Sequence, residues 1–278
     1  MGMLIYIELQ KIFKKWRTYI GFIAIGVLVP IVQLALYYEG DDYLRFATRS
    51  FSDAFVITGN LMNGYLIGNM VLNTLFIHIP FLIVLVGGDL LAGEATSGTY
   101  RLLITRPVSR FQIITSKFIA GFIYTISLLL FLMAISLGLS LLIFGSGELI
   151  SLRRKIYIFA DDDVLWRFFY AYGYALLSMT TVLALSFFFS SLVENAIGPI
   201  VATMAVIIIF IILAALNIEA LDFIRPYLFT QYLDDWQEFF TDPVDYAEMA
   251  KSAVVLAGHI LCLYTVTLVI FLRKDILS

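Results

Sequence analysis

The residue types that carry out chemistry in enzymes are few in this chain and are not spaced for it. Metal-assisted hydrolysis needs His, Cys or carboxylate ligands at fixed intervals, and nucleophilic catalysis needs a Ser or Cys beside a base. The two histidines, His78 and His259, stand alone in different apolar stretches; the one cysteine, Cys262, also lies in an apolar stretch, with no second thiol to pair with. The patterns His-Glu-x-x-His and Gly-x-Ser-x-Gly are absent. Gly87-Gly88-Asp89 matches an intramembrane aspartyl site only loosely, because the glycine spacing is wrong and no second Asp lies in an apolar stretch. Asp89 therefore reads as a helix-end carboxylate. Gly-x-x-x-x-Gly-Lys-Ser/Thr is missing, so the chain does not cradle a nucleotide's phosphates by that route. The reading is of a chain that is not an enzyme and binds no cofactor or metal of its own.

Ion coupling would need a titrating group at mid-membrane. His78, two residues before Pro80, is the one placed for it. With no carboxylate near it, it reads as a neutral imidazole bonded to a neighbouring helix or lining a polar cavity, while Pro80 bends its helix. His259 lies nearer the outer third of its span.

The elements that must position these residues are membrane spans. Of 278 residues, 61% are apolar and 14% charged, against roughly 45–50% and about 25% in soluble domains. The net charge of −3 favours neither nucleic acid nor any other partner. A helix needs about 20 apolar residues to cross a bilayer core of about 30 Å. Six stretches meet that length: Thr18–Tyr38, Gly68–Leu90, Lys117–Ile143, Phe168–Leu192, Ala196–Leu216 and Ala253–Leu272. The first exceeds the roughly 7–15 residues of a cleavable signal's apolar core and reads as a retained span. The pattern from Phe111 to Phe144 is unbroken, so the third helix is expected to extend beyond the membrane as a stem. The fold class is thus all-α integral membrane, a single domain over residues 1–278.

Six spans place both ends on one side. That side carries ten Lys and Arg against eight on the other, and eight of the ten sit in two compact segments beside span ends. The positive-inside rule weights such positions most, so both termini are expected in the cytoplasm and the chain in the cell membrane, multi-pass. Residues 1–17 read as an amphipathic in-plane helix, with Ile5, Leu9, Ile12, Phe13 and Trp16 on the lipid face and Lys11, Lys14 and Lys15 opposite. On the outer side, Phe229, Leu233, Trp236 and Phe240 form an apolar stripe with Asp234, Asp235 and Glu238 off it, expected on the outer leaflet or re-entering it. The basic run Arg153–Lys155 followed by Asp161–Asp163 reads as a solvated external loop.

The largest feature assigned to the cytoplasm is the loop 93–110 between spans two and three. It runs Glu94-(x)3-Gly98-Thr99-(x)2-Leu102-Leu103-(x)2-Arg106-Pro107-Val108-Ser109-Arg110, followed by Ile113 and Lys117. Glu94 is expected near the start of a short helix and the arginines near its end, as the helix dipole favours, with Pro107 as the stop. On composition alone this is a basic loop whose leucines touch lipid.

That string resembles the signature of the type-2 ABC exporter permease family. The basic N-terminal helix, the six spans, the short turn Ser190–Asn195 and the ending Phe271–Asp275 are compatible with it. One departure is that the family often carries two or three charges before the Gly-Thr pair, where only Glu94 stands here. The resemblance implies a permease, a second copy or relative forming a dimer with it, and two P-loop ABC ATPase subunits that bind ATP and Mg. It implies that the loop is a coupling helix, with Glu94, Gly98, Thr99, Leu102 and Leu103 docking into the ATPase and Arg106, Arg110 and Lys117 anchoring at the headgroups. It implies export of a substrate that the sequence leaves open. Two alternatives stand beside it: an ion-coupled secondary carrier, and a membrane scaffold that transduces ATPase motion without moving a solute.

Overall fold

The computed structural model describes residues 1–48, 62–96, 98, 108–152, 155–216, 218–219 and 222–273. In chain order the helices are α1 (Gly2–Lys14), α2 (Trp16–Thr48), α3 (Gly64–Phe76), α4 (Ile79–Gly87), α5 (Asp89–Thr96), α6 (Arg110–Met133), a π-turn (Ala134–Gly138) and α7 (Leu139–Phe144). A hairpin of β1 (Leu149–Leu152) and β2 (Ile156–Phe159) follows, then α8 (Asp161–Leu192), α9 (Ile197–Ala215), short 3-10 turns at Arg225–Tyr227, Phe229–Tyr232 and Asp235–Phe240, and α10 (Tyr246–Arg273). Among the described residues, six helical stretches are long and apolar enough to cross a membrane: Trp16–Gly40, Ile79–Thr96, Arg110–Phe144, Asp161–Leu192, Ile197–Ala215 and Tyr246–Arg273. Apolar stretches take this form because helices satisfy every backbone polar group internally where no water can.

The expected spans are found with shifted ends, and the largest difference is in the second. The stretch read as one helix over Gly68–Leu90 is three, α3, α4 and α5, with joints at Ile77–His78 and Gly88. Pro80 explains the first joint, since it has no N–H to give the Phe76 carbonyl one turn back; it breaks the helix rather than bending it. The third span is unbroken over the length expected, running from Arg110 to Phe144 through the π-turn. That turn frees backbone carbonyls, and Gln33, fully buried on α2, donates Nε2 to Ile135 O and Ser140 Oγ, both at 2.8 Å.

The core is built around α8, 72% of whose most apolar window is buried. It packs against α4, α5, α6, α9 and α10. The corresponding share is 22% for α2 and 17% for both α9 and α10, whose outward Ile, Leu and Val side chains form the apolar exterior that lipid requires. Helices α3 and α7 approach so closely that a Cβ at Gly64 would stand 2.6 Å from the Leu141 backbone, so only glycine fits there.

At the end of the bundle away from the termini, β1 and β2 pair antiparallel, Leu149 with Phe159; of the segment read as a solvated external loop, Asp161–Asp163 form the first turn of α8, and Arg153 and Arg154 lie outside the described residues. The aromatic segment beyond α9 is a series of 3-10 turns rather than one helix. Its stripe is placed as its spacing suggests, with Phe229, Leu233, Trp236 and Phe240 all buried, but against the bundle itself. Three side chains of α8 hold it there. Arg167 Nη1 donates to Phe239 O at 2.8 Å and Thr241 O at 3.0 Å, Tyr174 OH to Tyr232 O at 3.0 Å, and Ser178 Oγ to Leu233 O at 3.0 Å. These donors satisfy carbonyls that the irregular backbone leaves unpaired.

Candidate functional site

The opposite end of the bundle holds a cluster of charges built by α1, the start of α2, α5 and α6. Glu8, Lys11 and Ile12 share one face of α1 by their i, i+3, i+4 spacing, and Lys15, in the extended break that follows α1, lines the same cavity. Lys117, on the second turn of α6, is 1% exposed and donates to Glu8 Oε2 at 2.8 Å and to Glu94 Oε1 at 2.7 Å. Lys11 Nζ reaches the same two carboxylates, Glu8 Oε1 at 2.7 Å and Glu94 Oε1 at 2.6 Å. A few residues along, Asp89 is clasped by Lys15 Nζ and by Arg17 Nη1, the latter at 2.9 Å. A cavity of about 270 Å³ opens between these groups.

Three nearly buried carboxylates thus face four cations, Lys11 of α1, Lys15 of the break after it, Arg17 of α2 and Lys117 of α6. Desolvation makes an unpaired charge there costly, so each group depends on its partners. Glu94 lies in the last turn of α5, where the helix dipole disfavours a negative charge; the two ammonium groups offset that. Lys11 is half-buried, and burial alone would lower its pKa, but the Glu8 and Glu94 carboxylates outweigh this and hold it above the usual lysine value of 10.5. Its stabilising contribution is therefore fully present below that value and fades only as pH rises through the higher, folded-state one.

The neighbouring backbone is tied just as closely. At the Gly88 joint, Ser190 Oγ on α8 donates to Gly88 O at 2.7 Å and accepts from the N–H groups of Leu91 at 3.1 Å and Ala92 at 2.9 Å, stitching the start of α5 to α8. Thr96 Oγ1 donates to Glu194 O at 2.7 Å in the turn after α8. Gly98 takes φ +66°, the left-handed conformation that ends helices, and its N–H bonds Ala95 O. Arg110 Nη1 bonds Leu272 O at 3.0 Å, placing a cation on the last carbonyls of α10.

Several expectations for the loop change. Glu94 does not begin a short coupling helix but closes the helix that ends the second span. Lys117, expected at the headgroups with Arg106 and Arg110, is buried, because two carboxylates on adjacent helices bind it more closely than a headgroup could. Thr99, Leu102, Leu103, Arg106 and Pro107, with the coupling helix they were expected to form, lie outside the described residues. Residues of α1 were not recognised as part of the site: Ile12, assigned to the lipid face, is buried and lines the cavity with Glu8, Lys11 and Lys15, whereas Trp16, assigned to the same face, is 75% exposed. The available signal was the Glu8, Lys11, Ile12 spacing together with two acids, Asp89 and Glu94, at a span's end.

The histidines sit elsewhere. His78 Nδ1 bonds Thr74 O of its own helix at 3.1 Å rather than a neighbouring one, and the ring lines a groove of about 680 Å³. Asp234 lines the same groove, so a carboxylate remote from His78 in sequence shares its surroundings. His259 bonds Val255 O at 2.8 Å and Tyr227 O at 3.2 Å, fastening α10 to the cap.

Six helical stretches long and apolar enough to span a membrane, the enclosed α8 among them, with a protein-held cap at one end and buried ion pairs at the other, fit an all-α, multi-pass membrane protein. The chain belongs to the family described as protein of unknown function (DUF2705), which matches residues 22–277. That match includes Asp89, Glu94 and Lys117 and starts after α1. An uncharacterized protein of Bacillus subtilis (strain 168), YhcI, is 27% identical over 202 residues. The similarity covers 69% of this chain and 63% of that protein's length.

Proposed function

We propose that this chain is the membrane subunit of an ATP-driven exporter, of the type-2 ABC permease kind, in the cell membrane with both termini in the cytoplasm. On this reading α1 lies in the plane of the inner leaflet. Two copies, or a copy and a relative, associate with two P-loop ATPases that bind ATP and Mg, and the segment 95–109 docks into the ATPase. The observation that supports it most is Lys117. The loop's signature begins at Glu94 and ends at Lys117, and those two residues are joined in a buried ion pair that also includes Glu8. Both ends of the loop are thereby clamped to each other and to α1. A displacement of the loop is delivered to the second and third spans together, as transmission to a distant face requires.

Co-purification tests this. A tagged chain should retain its ATPase through solubilisation, and Leu102→Asp with Leu103→Asp should lose it while still inserting in the membrane, because carboxylates placed at a packed docking face are desolvated without partners. Retention of the ATPase at the wild-type level by the double variant would show that the loop is not the docking element.

A further inference from the structure

The outward face of the second span is polar where its neighbours are not. Asn73, Thr74 and His78 are exposed along α3 and the joint after it, and Asn69 is half-buried one turn before them. Contacts with neighbouring helices fix their depth. A Cβ at Gly68 would lie 3.4 Å from Ser136 O, in the π-turn to which Gln33 of α2 donates, and a Cβ at Gly21 of α2 would lie 3.5 Å from Leu82 Cβ. Asn69 to Phe81 therefore lie between the levels of Gln33 and Gly21, about 18 Å of helix axis within the apolar span Trp16–Gly40. At that depth the helices on either side turn out only apolar side chains, Val27, Leu28 and Ile31 of α2 and Ile208, Ile211 and Ile212 of α9. Lipid tails offer no hydrogen bond, and polar side chains within spans face protein or water.

The two asparagines select protein, and protein of one kind. Asn73 Nδ2 donates to Asn69 O at 2.9 Å and to Asn69 Oδ1 at 3.0 Å; the backbone carbonyl only accepts, which fixes the orientation of both amides. Among the described residues, Asn69 Nδ2 is then a donor and Asn73 Oδ1 an acceptor without a partner, one turn apart on the same face. A twofold mate presents the same two groups, so each copy's donor meets the other's acceptor, the reciprocity of a closed dimer. Ile77 and Phe81, 59% and 44% exposed, continue the face toward the base as apolar packing surface. From Gly64 to Gly87 the chain has no charged residue, so nothing on the face repels its like.

We infer that two copies of this chain meet along this face of α3 and α4, Asn69 of each bonding the partner's Asn73 across a twofold axis along the membrane normal. The exporter reading asks for a second copy or a relative; the inference names a like copy and the contact face, and it rests on the membrane placement rather than on an ATPase. It is tested on the full chain alone, with Cys262 replaced by Ala. In isolated membranes, Ile77→Cys should form a disulfide-linked dimer under copper phenanthroline, and Leu261→Cys, outward on α10, should not. In phosphatidylcholine proteoliposomes, energy transfer between donor- and acceptor-labelled Asp162→Cys chains reads the dimer as lipid dilutes it. Asn69→Leu with Asn73→Leu should move that midpoint about tenfold toward monomer, as the loss of two reciprocal hydrogen bonds in a membrane requires. A midpoint unmoved by the double variant would overturn the inference. So would Ile77→Cys cross-linking no faster than Leu261→Cys, which would leave the face to lipid. Modification of Ile77→Cys by a charged methanethiosulfonate would do the same, since the face would then line water.

Discussion

Lys117 is the residue on which the base of the molecule turns. A lysine 1% exposed is tolerable only because Glu8 and Glu94 both accept from it, and their own burial is tolerable only because Lys117 and Lys11 donate back. Lys117→Met keeps the length and apolar stem but leaves the two carboxylates to Lys11 alone. It should destabilise the protein by about 3–5 kcal/mol, the usual cost of breaking a buried pair from one side. Adding Glu8→Gln and Glu94→Gln to Lys117→Met should restore much of the loss. Melting in detergent, followed by intrinsic fluorescence, reads both; a Lys117→Met midpoint equal to wild type would remove the cluster from the account. Little of this was legible in the sequence. Lys117 and Glu94 were singled out as loop residues, yet nothing in a linear pattern says that a lysine seven residues into a stem faces inward. The pairing depends on α1 folding back across the loop's two ends, a contact between positions far apart in the chain.

At the scale of elements, the spans were legible because hydrophobic length is a local property, and the joints between α3, α4 and α5 were only half so. Pro80 marks the first joint. The second has no proline, and Gly88 alone does not break an apolar helix; what holds it is Ser190, four helices later in the chain, which satisfies one carbonyl and two N–H groups there. Ser190→Ala strands those buried groups and should cost about 1–3 kcal/mol. The loss should appear as faster hydrogen exchange at Leu91 and Ala92 than at α4 residues, and exchange unchanged at those two amides would show that the joint is held by packing instead. The aromatic segment after α9 shows the converse case. Its stripe of four residues was readable, but the same spacing serves a helix on a membrane or a turn series on a bundle, and the choice is made by Arg167, Tyr174 and Ser178 on α8.

For the whole molecule, the two ends differ in kind: ion pairs clasp the base, and backbone-directed hydrogen bonds hold the cap. On the proposed orientation, Asp162 and Asp242, exposed at the cap end, face outward, and Glu194, exposed at the base, faces the cytoplasm. With Cys262 replaced by Ala, Asp162→Cys and Asp242→Cys should react with an impermeant maleimide on intact cells, whereas Glu194→Cys should react only after permeabilisation. The reverse pattern would invert the topology and place the loop 93–110 where no ATPase could meet it.

The central claim, that ATP hydrolysed by a partner acts through this loop, is met most directly by measuring hydrolysis in proteoliposomes containing the ATPase with the wild-type chain, with the Leu102→Asp, Leu103→Asp chain, or alone. The account predicts no hydrolysis by the chain on its own, a rate for the wild-type complex distinct from that of the free ATPase, and a return to the free-ATPase rate with the double variant. A hydrolysis rate indifferent to the chain and to both leucines would contradict it.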